Sequence, residues 1–511
     1  MRGERTYTLP RGEHAGINWP LSGRLAALAS RDSDLLVGVG LVAVAIALLE
    51  LLPRLVGPDT WLALAAGRQV AQTGIPHHEL LTVFAHGRAW VDEQWLSQLT
   101  MYALYRVGGL PLLGAVDIGL IFSGLAGAAL AARRLGAATS SLIRVLPLAT
   151  LCVVPAFELR TEAYALPLFA ATVYLLARDS RHPTRAVYWC LPLLVLWGNL
   201  HGSASMGAGL VGLRGLTIVW ERRRRLFRAR EWVRPVVLIA GAPLALLATP
   251  YGTSSISYYH ATLLNGSMRS YVAEWQPVTA APIMAAALFA LAAATVWSFG
   301  KHSDKTTLWE RCTLLALAGL AVVSVRNVPW FGLGAIVILP LSIDAAVRAR
   351  MRPTPSRPAL NLALAGTAAL SLVFALASSF SQGPSLAARS YPPGAFAAVR
   401  AEVTAHPALR VFADERFADW LLWRWPALQG RVAYDARFEL LSAQQVRAIV
   451  DLKFVSGLEW KRAARGYRLL VLSTQDTLDA VRAIEREPGR RILFDHAGVV
   501  VILRSPAGAA A

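Results

Sequence analysis

Charged side chains are scarce in this chain of 511 residues. Asp, Glu, Lys and Arg make up only 16% of it, whereas 55% of its residues are hydrophobic and the mean hydropathy is +0.44. Soluble globular proteins carry about 25% charged residues, so the composition excludes that class. Several apolar runs approach or exceed the roughly 20 residues that cross a hydrocarbon core. The sequence therefore predicts an α-helical polytopic membrane protein.

Cysteine is almost absent. Cys152, Cys190 and Cys312 lie in or beside apolar runs, and their spacing fits no metal-binding or redox motif. We expect them to be small buried apolar residues.

Acidic residues are outnumbered by basic ones, 32 to 51, which gives a net charge of +19. The basic residues are concentrated in short segments between apolar runs. This pattern fixes membrane orientation and does not indicate nucleic-acid binding. It predicts a multi-pass protein of the inner (cytoplasmic) membrane, with residues 1–34 in the cytoplasm and about 11 spans within 35–380. No cleavable signal peptide is expected, because the first apolar run is too long for one.

The outer side is predicted to hold a first loop, 57–109, and a C-terminal domain. Segments 60–73 and 92–105 of the loop have helical spacing but are too short and polar to span, so we expect interfacial helices. From 381 to 511 strand patterns alternate with helical ones, which predicts an extracytoplasmic α/β domain with a core of its own. The predicted strands are 411–413, 431–434, 469–472, 491–494 and 499–503. No Gly-rich phosphate loop follows them, so nucleotide binding is not expected.

Polar side chains recur at the predicted outer helix ends. They are Asp59, Asp92, Glu93, Arg160, Glu162, Asn199, His201 and Arg326, with Tyr259 and Glu274 in a later outer loop. Ionisable groups at membrane depth are costly, so they face a cavity or a partner. Their convergence on one membrane face predicts a site for a charged lipid head group.

Each of these residues also has a purely structural interpretation. Asp59 could be the N-cap of the interfacial helix. Arg160 and Arg326 could be interfacial anchors whose charged ends reach bulk lipid, and Glu162 could simply pair with Arg160. His201 could be a hydrogen-bonded residue in a tight helix contact.

Several short motifs together resemble multi-spanning bacterial proteins of the GT-C glycosyltransferase superfamily. They are Asp59-Thr-Trp61, Gly67-Arg68, Gly74-Ile-Pro76, Trp90 to Leu96, Trp197 to Gly202, Arg326 to Pro329, Asp414 to Arg416 and Tyr434 to Arg437. The resemblance implies a membrane bundle with interfacial helices in the first outer loop. It also implies a polyprenyl-phosphate-linked sugar as donor, and an acid of that loop as the base that acts on the acceptor. The two tail motifs could be turn residues, or they could form a cleft facing the membrane.

By position, Asp59 matches the base of the resembled family best, and Asp92 or Glu93 comes second. The loop lacks an Asp-Asp or Asp-x-Asp pair, so the choice of base and any divalent cation stay open, and no metal ligand is predicted. Arg160 and Arg326 suit the donor phosphate, because the guanidinium fork pairs with phosphate through two hydrogen bonds. His201 would donate to the same phosphate or position the sugar. The remaining candidates for substrate binding are Trp61, Glu162, Asn199, Tyr259 and Glu274.

The predicted function is transfer of a sugar to a cell-envelope glycan, lipid or protein at the outer face of the membrane. Two other classes compete with it. A transporter or flippase of a lipid-linked glycan would need charges within the spans or repeated halves, whereas the charges here are expected at helix ends. A non-catalytic membrane scaffold would keep its function after Asp59→Asn.

Overall fold

The computed structural model describes residues 56–223, 229–263, 271–278, 282–348 and 391–505, with isolated residues between 366 and 390. Within these ranges long helices are followed by a small mixed sheet. The predicted cytoplasmic segment 1–34 and the predicted spans 35–56 and 360–380 lie almost wholly outside the described residues.

Eleven helices precede the C-terminal domain in the described ranges. They are α1 (Pro58–Thr73), α2 (Trp95–Arg134), α3 (Thr139–Val153), α4 (Ala165–Arg181), α5 (Cys190–Leu200), α6 (Ala204–Arg222), α7 (Ala229–Leu246), α8 (Ser254–Leu263), α9 (Pro282–Lys301), α10 (Leu308–Val323) and α11 (Val328–Arg348). In the part of the chain that the structure describes, four segments are long and apolar enough to cross a membrane: Trp95–Arg134, Thr139–Phe157, Ile283–Lys301 and Val325–Asp344. The predicted count of about 11 spans stays a prediction.

The first interfacial helix begins two residues earlier than predicted. Pro58 occupies its first turn, where a fixed φ and a missing N–H carry no penalty, and Gly57 is the N-cap. The interpretation of Asp59 as the N-cap was therefore wrong, because Asp59 lies inside the first turn. A Cβ on Gly57 would fall 1.5 Å from Glu158 Oε1, so a larger residue here would force the Glu158 side chain to move.

The second interfacial segment and the span after it form one bent helix, α2. Its backbone leaves helical geometry at Gly108 and at Gly109, whose φ is +64°. Such a kink has an identifiable cause in glycine and in Pro111 just beyond it. The bend lies at the end of the predicted loop 57–109, and it turns the apolar half of α2 away from the polar half.

The C-terminal domain contains four strands in the order β1-β2-β4-β3. The strands are β1 (Val411–Ala413), β2 (Leu469–Ser473), β3 (Arg490–His496) and β4 (Val499–Arg504), with helices α12 (Pro393–Ala405), α13 (Glu415–Arg424), α14 (Ala443–Lys453) and α15 (Leu478–Ile484). Only the β1–β2 pair is parallel. The predicted strand 431–434 is wrong: this segment forms single bridges, from Val432 to Val411 on one side and to Thr82 of the first loop on the other.

The first outer loop shares a hydrophobic core with the C-terminal domain. Trp61 and Leu64 of α1 belong to the same buried cluster as Tyr391 and residues of α13, and the rings of Trp61 and Tyr391 meet edge to face at 5.3 Å. A second cluster is formed almost wholly by the C-terminal domain. The C-terminal domain thus has one buried cluster almost of its own and shares the other with α1 and with Leu81, Met101, Leu113 and Leu159.

The sequence suggested that charged residues lie at helix ends, but the structure also places buried charges inside helices. Arg214 lies inside α6 and is buried, with Asp179 Oδ2 at 2.9 Å from its Nε. Arg234 contacts the same carboxylate at 2.5 Å. Buried charge inside a membrane protein requires such pairing, and here the pairs tie α4, α6 and α7 together.

Candidate active site

A cavity of about 640 Å³ lies between the predicted first outer loop, the segments 258–262 and 271–275, and the C-terminal domain. Its ionisable lining residues are Asp59, Asp92, Glu93, Glu274, Arg326, Glu415, Arg437, Glu439, Lys453 and Asp476. The fold thus brings together all three predicted loop acids and one of the two predicted phosphate-binding arginines.

Asp59 is positioned by the start of α1. The hydroxyl of Thr60 donates to the carbonyl of Leu159 at 2.6 Å and accepts from the N–H of Gly57 at 3.2 Å, which fixes the first turn. A carboxylate is favoured there because the first-turn N–H groups carry a partial positive charge. The Asp59 side chain keeps 42% of its surface exposed on the cavity wall, so a substrate can reach it.

The walls of the cavity displace water from around the Asp59 carboxyl, and this desolvation raises its pKa. Nearby Arg160 and Arg326 lower it and Glu274 raises it further. A carboxylate with a raised pKa accepts a proton more readily, which suits a general base.

Arg160 is surrounded by four carboxylates. Its guanidinium lies 2.5 Å from Glu274, 2.9 Å from Glu162, 3.4 Å from Asp59 and 3.9 Å from Glu158. Its side chain is only 10% exposed, and Arg160 is not part of the cavity lining. The predicted direct contact with donor phosphate does not fit this geometry, because both terminal nitrogens already face carboxylates. Arg160 is placed to orient Asp59 and Glu274.

The guanidinium of Arg326 has far more hydrogen-bonding capacity left for a ligand than that of Arg160. It lines the cavity with 31% of its side chain exposed, and its nearest acidic partner is Glu274 at 3.8 Å. Its guanidinium lies over the ring of Trp275, 5.4 Å from the centroid. The N–H of Val325 donates to the carbonyl of Gln276 and the hydroxyl of Ser324 donates to the carbonyl of Glu274, both at 3.0 Å, which holds Arg326 and Trp275 in register. Arg160 lowers the pKa of Glu274 to about 2, so this carboxylate stays ionised.

His201 is buried behind the cavity rather than in its wall. The N–H of Ser203 donates to its Nδ1 at 3.2 Å, so the proton of the neutral ring lies on Nε2. Burial holds the pKa of His201 well below its ordinary value, and Arg326 and Arg160 lower it further. The ring is therefore neutral, and any contact that it makes with an anion is that of a hydrogen-bond donor.

The two alternative acids are engaged by neighbouring side chains. Glu93 accepts from the Tyr258 hydroxyl at 2.6 Å and from Gln94 Nε2 at 2.9 Å. Asp92 is buried, accepts from Gln98 Nε2 at 2.8 Å, and has one buried oxygen without a partner. Burial raises the pKa of Asp92 to about 8, with Glu93 adding to the rise. Asp59 differs from both: 42% of its side chain is exposed and it pairs with a cation, Arg160, at 3.4 Å, whereas the two alternatives accept hydrogen bonds from neutral side chains.

Asp92→Asn tests whether burial raises the pKa of Asp92. Because the folded state raises the Asp92 pKa from its ordinary value to about 8, wild-type stability falls as pH rises from about 4 to about 8. The variant lacks this penalty, so we expect its melting temperature to exceed that of wild type at pH 8 and to match it near pH 4. Thermal unfolding in detergent at both pH values measures this, with Asp304→Asn, an exposed acid outside the cavity, as control.

The same variant should keep sugar transfer within about tenfold of wild type. A loss of about 10² or more would instead make Asp92 the base.

Four of the five predicted substrate-binding residues lie off the cavity lining. Trp61 packs in the shared core, and Glu162 is buried against Arg160. Asn199 accepts from Trp95 Nε1 at 2.9 Å and donates to backbone carbonyls. Tyr259 packs edge-on against Tyr258. Only Glu274 contributes to the wall.

Tyr258 belongs to the predicted outer loop, but its neighbour Tyr259 was chosen as the substrate-binding residue although the sequence contains a signal for Tyr258. Tyr258 and Thr262 both line the cavity, and side chains four positions apart share one helix face. Helical periodicity in α8 would have favoured Tyr258 over Tyr259.

Arg437 was named only as a turn or cleft residue, and the structure places it in the cleft. It lines the cavity, pairs with Glu79 of the first loop at 2.6 Å and with Asp435, and lies 4.3 Å from the ring centroid of Trp90. Glu415 of the other tail motif lines the same cavity. The C-terminal domain therefore supplies one wall of the site.

Metal binding is not decided by this arrangement. Within the described ranges no three His, Cys, Asp or Glu side chains lie close enough together to hold an ion. The divalent cation stays open.

No family model and no curated protein matches this chain. Among solved structures it is similar to ArnT from Cupriavidus metallidurans bound to undecaprenyl phosphate, with 12% identity, a TM-score of 0.48, and coverage of 92% of this chain and 98% of that one. It is also similar to the oligosaccharyltransferase AglB from Archaeoglobus fulgidus in complex with an inhibitory peptide and a dolichol-phosphate. There the identity is 12%, the TM-score 0.48, and the coverage 91% and 74%.

At such identities and TM-scores the likeness carries no argument about activity.

Proposed function

We propose that this protein is a membrane glycosyltransferase that moves a sugar from a polyprenyl-phosphate donor to a cell-envelope acceptor at the outer face of the membrane. One observation carries the proposal. An accessible carboxyl, Asp59, and a cation with spare hydrogen-bonding capacity, Arg326, face the same cavity. Transfer of a sugar from a phosphate is assisted by one group of each kind, a base for the acceptor proton and a cation for the leaving phosphate.

Asp59 and Arg326 each take part in one step of the proposed reaction. The acceptor hydroxyl gives its proton to Asp59 as its oxygen bonds to the anomeric carbon of the sugar. The bond between that carbon and the phosphate oxygen breaks, and the lipid phosphate leaves with the electron pair. Arg326 stabilises the negative charge that develops on the phosphate, which is the kind of electrostatic contribution expected of a preorganised donor.

The position of the cavity supports a lipid-linked donor. Arg326 begins the apolar segment Val325–Asp344, and α2 enters its apolar half just beyond the loop. A phosphate bound at Arg326 would therefore lie at the level where a prenyl chain could extend along apolar helices. The identity of the donor as a polyprenyl phosphate follows from the GT-C resemblance of the motifs.

The opposite wall supports an acceptor site. It comes from the C-terminal domain, with Glu415, Arg437, Glu439 and Lys453 in the lining. A polar wall facing Asp59 suits a hydroxyl-bearing glycan, lipid or peptide acceptor.

Arg326→Ala should weaken donor binding by about 10- to 100-fold, because hydrogen bonds to charged groups contribute about 1.5–3 kcal/mol. Binding of labelled polyprenyl phosphate to the purified protein measures this. The donor affinity of Arg326→Lys should lie between those of wild type and Arg326→Ala, since an ammonium keeps the charge but lacks the guanidinium fork.

Lys301→Ala is the matched control, because Lys301 also lies over a tryptophan, Trp297, at 5.6 Å. Wild-type donor affinity and wild-type transfer in Arg326→Ala would remove the phosphate site from this cavity.

A further inference from the structure

A second cavity of about 420 Å³ lies at the opposite end of the helices from the candidate active site. α5 begins beside it and ends at the active-site end, and α6 runs back over 19 residues, a distance of about 28 Å. The walls of this second cavity are the turn after α4, the end of α6 and the start of α7. By the distribution of basic segments this is the cytoplasmic side.

The lining of this cavity carries excess positive charge. Arg185, Arg222 and Arg234 contribute to it, against a single acid, Glu231. Within the described ranges Arg185 and Arg222 make no ion pair and no side-chain hydrogen bond.

Arg234 is fixed in place rather than mobile. It pairs with the buried Asp179 at 2.5 Å and donates to the carbonyl of Thr184, while its Nε is buried without a partner. Asp179 also pairs with Arg214, which pairs with Glu221 at 3.4 Å. The excess positive charge of the cavity therefore comes from Arg185 and Arg222, against Glu231. A preorganised guanidinium beside two unpaired ones is suited to an anion with several oxygens.

Exposed tryptophans place this cavity at the level of lipid head groups. Trp189 is 67% exposed, Trp220 60% and Trp232 42%, and each lies within two positions of a lining residue. Tryptophan is enriched at the membrane–water interface because its ring is apolar and its N–H is polar. Basic pockets between helices on the cytoplasmic side are places where anionic lipid head groups bind.

We propose that the cavity formed by Arg185, Arg222 and Arg234 binds the phosphate of an anionic phospholipid in the cytoplasmic leaflet. The bound head group would bridge the ends of α4, α6 and α7 and stabilise their packing. This site is independent of sugar transfer, because none of its residues lines the active-site cavity.

The test uses the purified full chain in detergent, with phosphatidylglycerol or phosphatidylcholine added and thermal unfolding as readout. Phosphatidylglycerol should raise the melting temperature of wild type above the value in phosphatidylcholine. The double variant Arg185→Gln/Arg222→Gln should need at least about ten times more phosphatidylglycerol for the same shift, since two charge-assisted hydrogen-bonding groups are lost.

The control variant Arg134→Gln/Lys301→Gln removes the same charge from the same predicted face. It should respond as wild type does, and an equal loss of response would mean that the effect is general electrostatics and would overturn the site. Inorganic phosphate in place of lipid is a second arm. Protection by millimolar phosphate as strong as that by the lipid would overturn a lipid ligand in favour of a soluble phosphate.

Discussion

Asp59→Asn should lower the rate of sugar transfer by about 10²–10⁴, the contribution typical of a positioned general base. An amide is isosteric with the carboxylate but cannot take the proton of the acceptor hydroxyl. The Asn oxygen can still accept from Arg160, which lies 3.4 Å from Asp59, so the first turn of α1 should stay in place. Single-turnover transfer from a radiolabelled polyprenyl-phosphate sugar measures the chemical step directly.

Two further measurements show whether a loss in Asp59→Asn is chemical. The variant should bind donor phosphate as wild type does, because Arg326 is untouched, and its thermal unfolding should be nearly unchanged. Wild-type transfer in Asp59→Asn would exclude this residue as the base. It would leave Glu93 or Asp92 as the candidate, which Glu93→Gln and Asp92→Asn would then distinguish.

Arg160→Gln should lower the free energy of unfolding by about 3–5 kcal/mol, the cost typical of removing one partner from a buried ion pair. The substitution leaves four carboxylates without their shared cation, and Glu162 among them is buried. Arg326 is the nearest remaining cation, but it is paired only loosely with Glu274. Denaturant or thermal unfolding in detergent gives the measurement.

A double variant shows whether that cost comes from uncompensated charge. Arg160→Gln/Glu162→Gln removes both partners of the 2.9 Å pair, so it should be more stable than Arg160→Gln alone. Arg160→Lys keeps the charge but not the guanidinium fork, so we expect its free energy of unfolding to lie between those of wild type and Arg160→Gln. If Arg160→Gln unfolds like wild type, the carboxylates around Arg160 are already neutral and the prediction is wrong.

Much of the helical architecture could be predicted because its causes are local. The apolar run that becomes the second half of α2 and the Gly108–Gly109 break before it are both visible in the sequence. The strands at 411, 469, 490 and 499 follow from short apolar runs bounded by turn residues. The segment 431–434 has the same pattern, but its neighbours on both sides allow only single bridges, which no local signal reveals.

The candidate site could be predicted only as a set of residues, not as an arrangement. Asp59, Asp92, Glu93 and Arg326 were named from their positions at predicted helix ends and Glu274 from a later loop, and all five line one cavity. The assignment of Arg160 to the phosphate could not be corrected from sequence. Its closest carboxylate, Glu274, is 114 positions away, so the saturation of its guanidinium depends on how distant turns pack.

The sequence by itself determined that this chain belongs in a membrane, because composition and the spacing of apolar runs depend only on neighbouring residues. It also determined that acids and arginines cluster at the helix ends on the predicted outer side. Only the tertiary structure decided which of them remain accessible. Burial and ion pairing are set by contacts between segments far apart in the chain, and these leave Asp59 and Arg326 facing the cavity while Arg160 and His201 lie behind it.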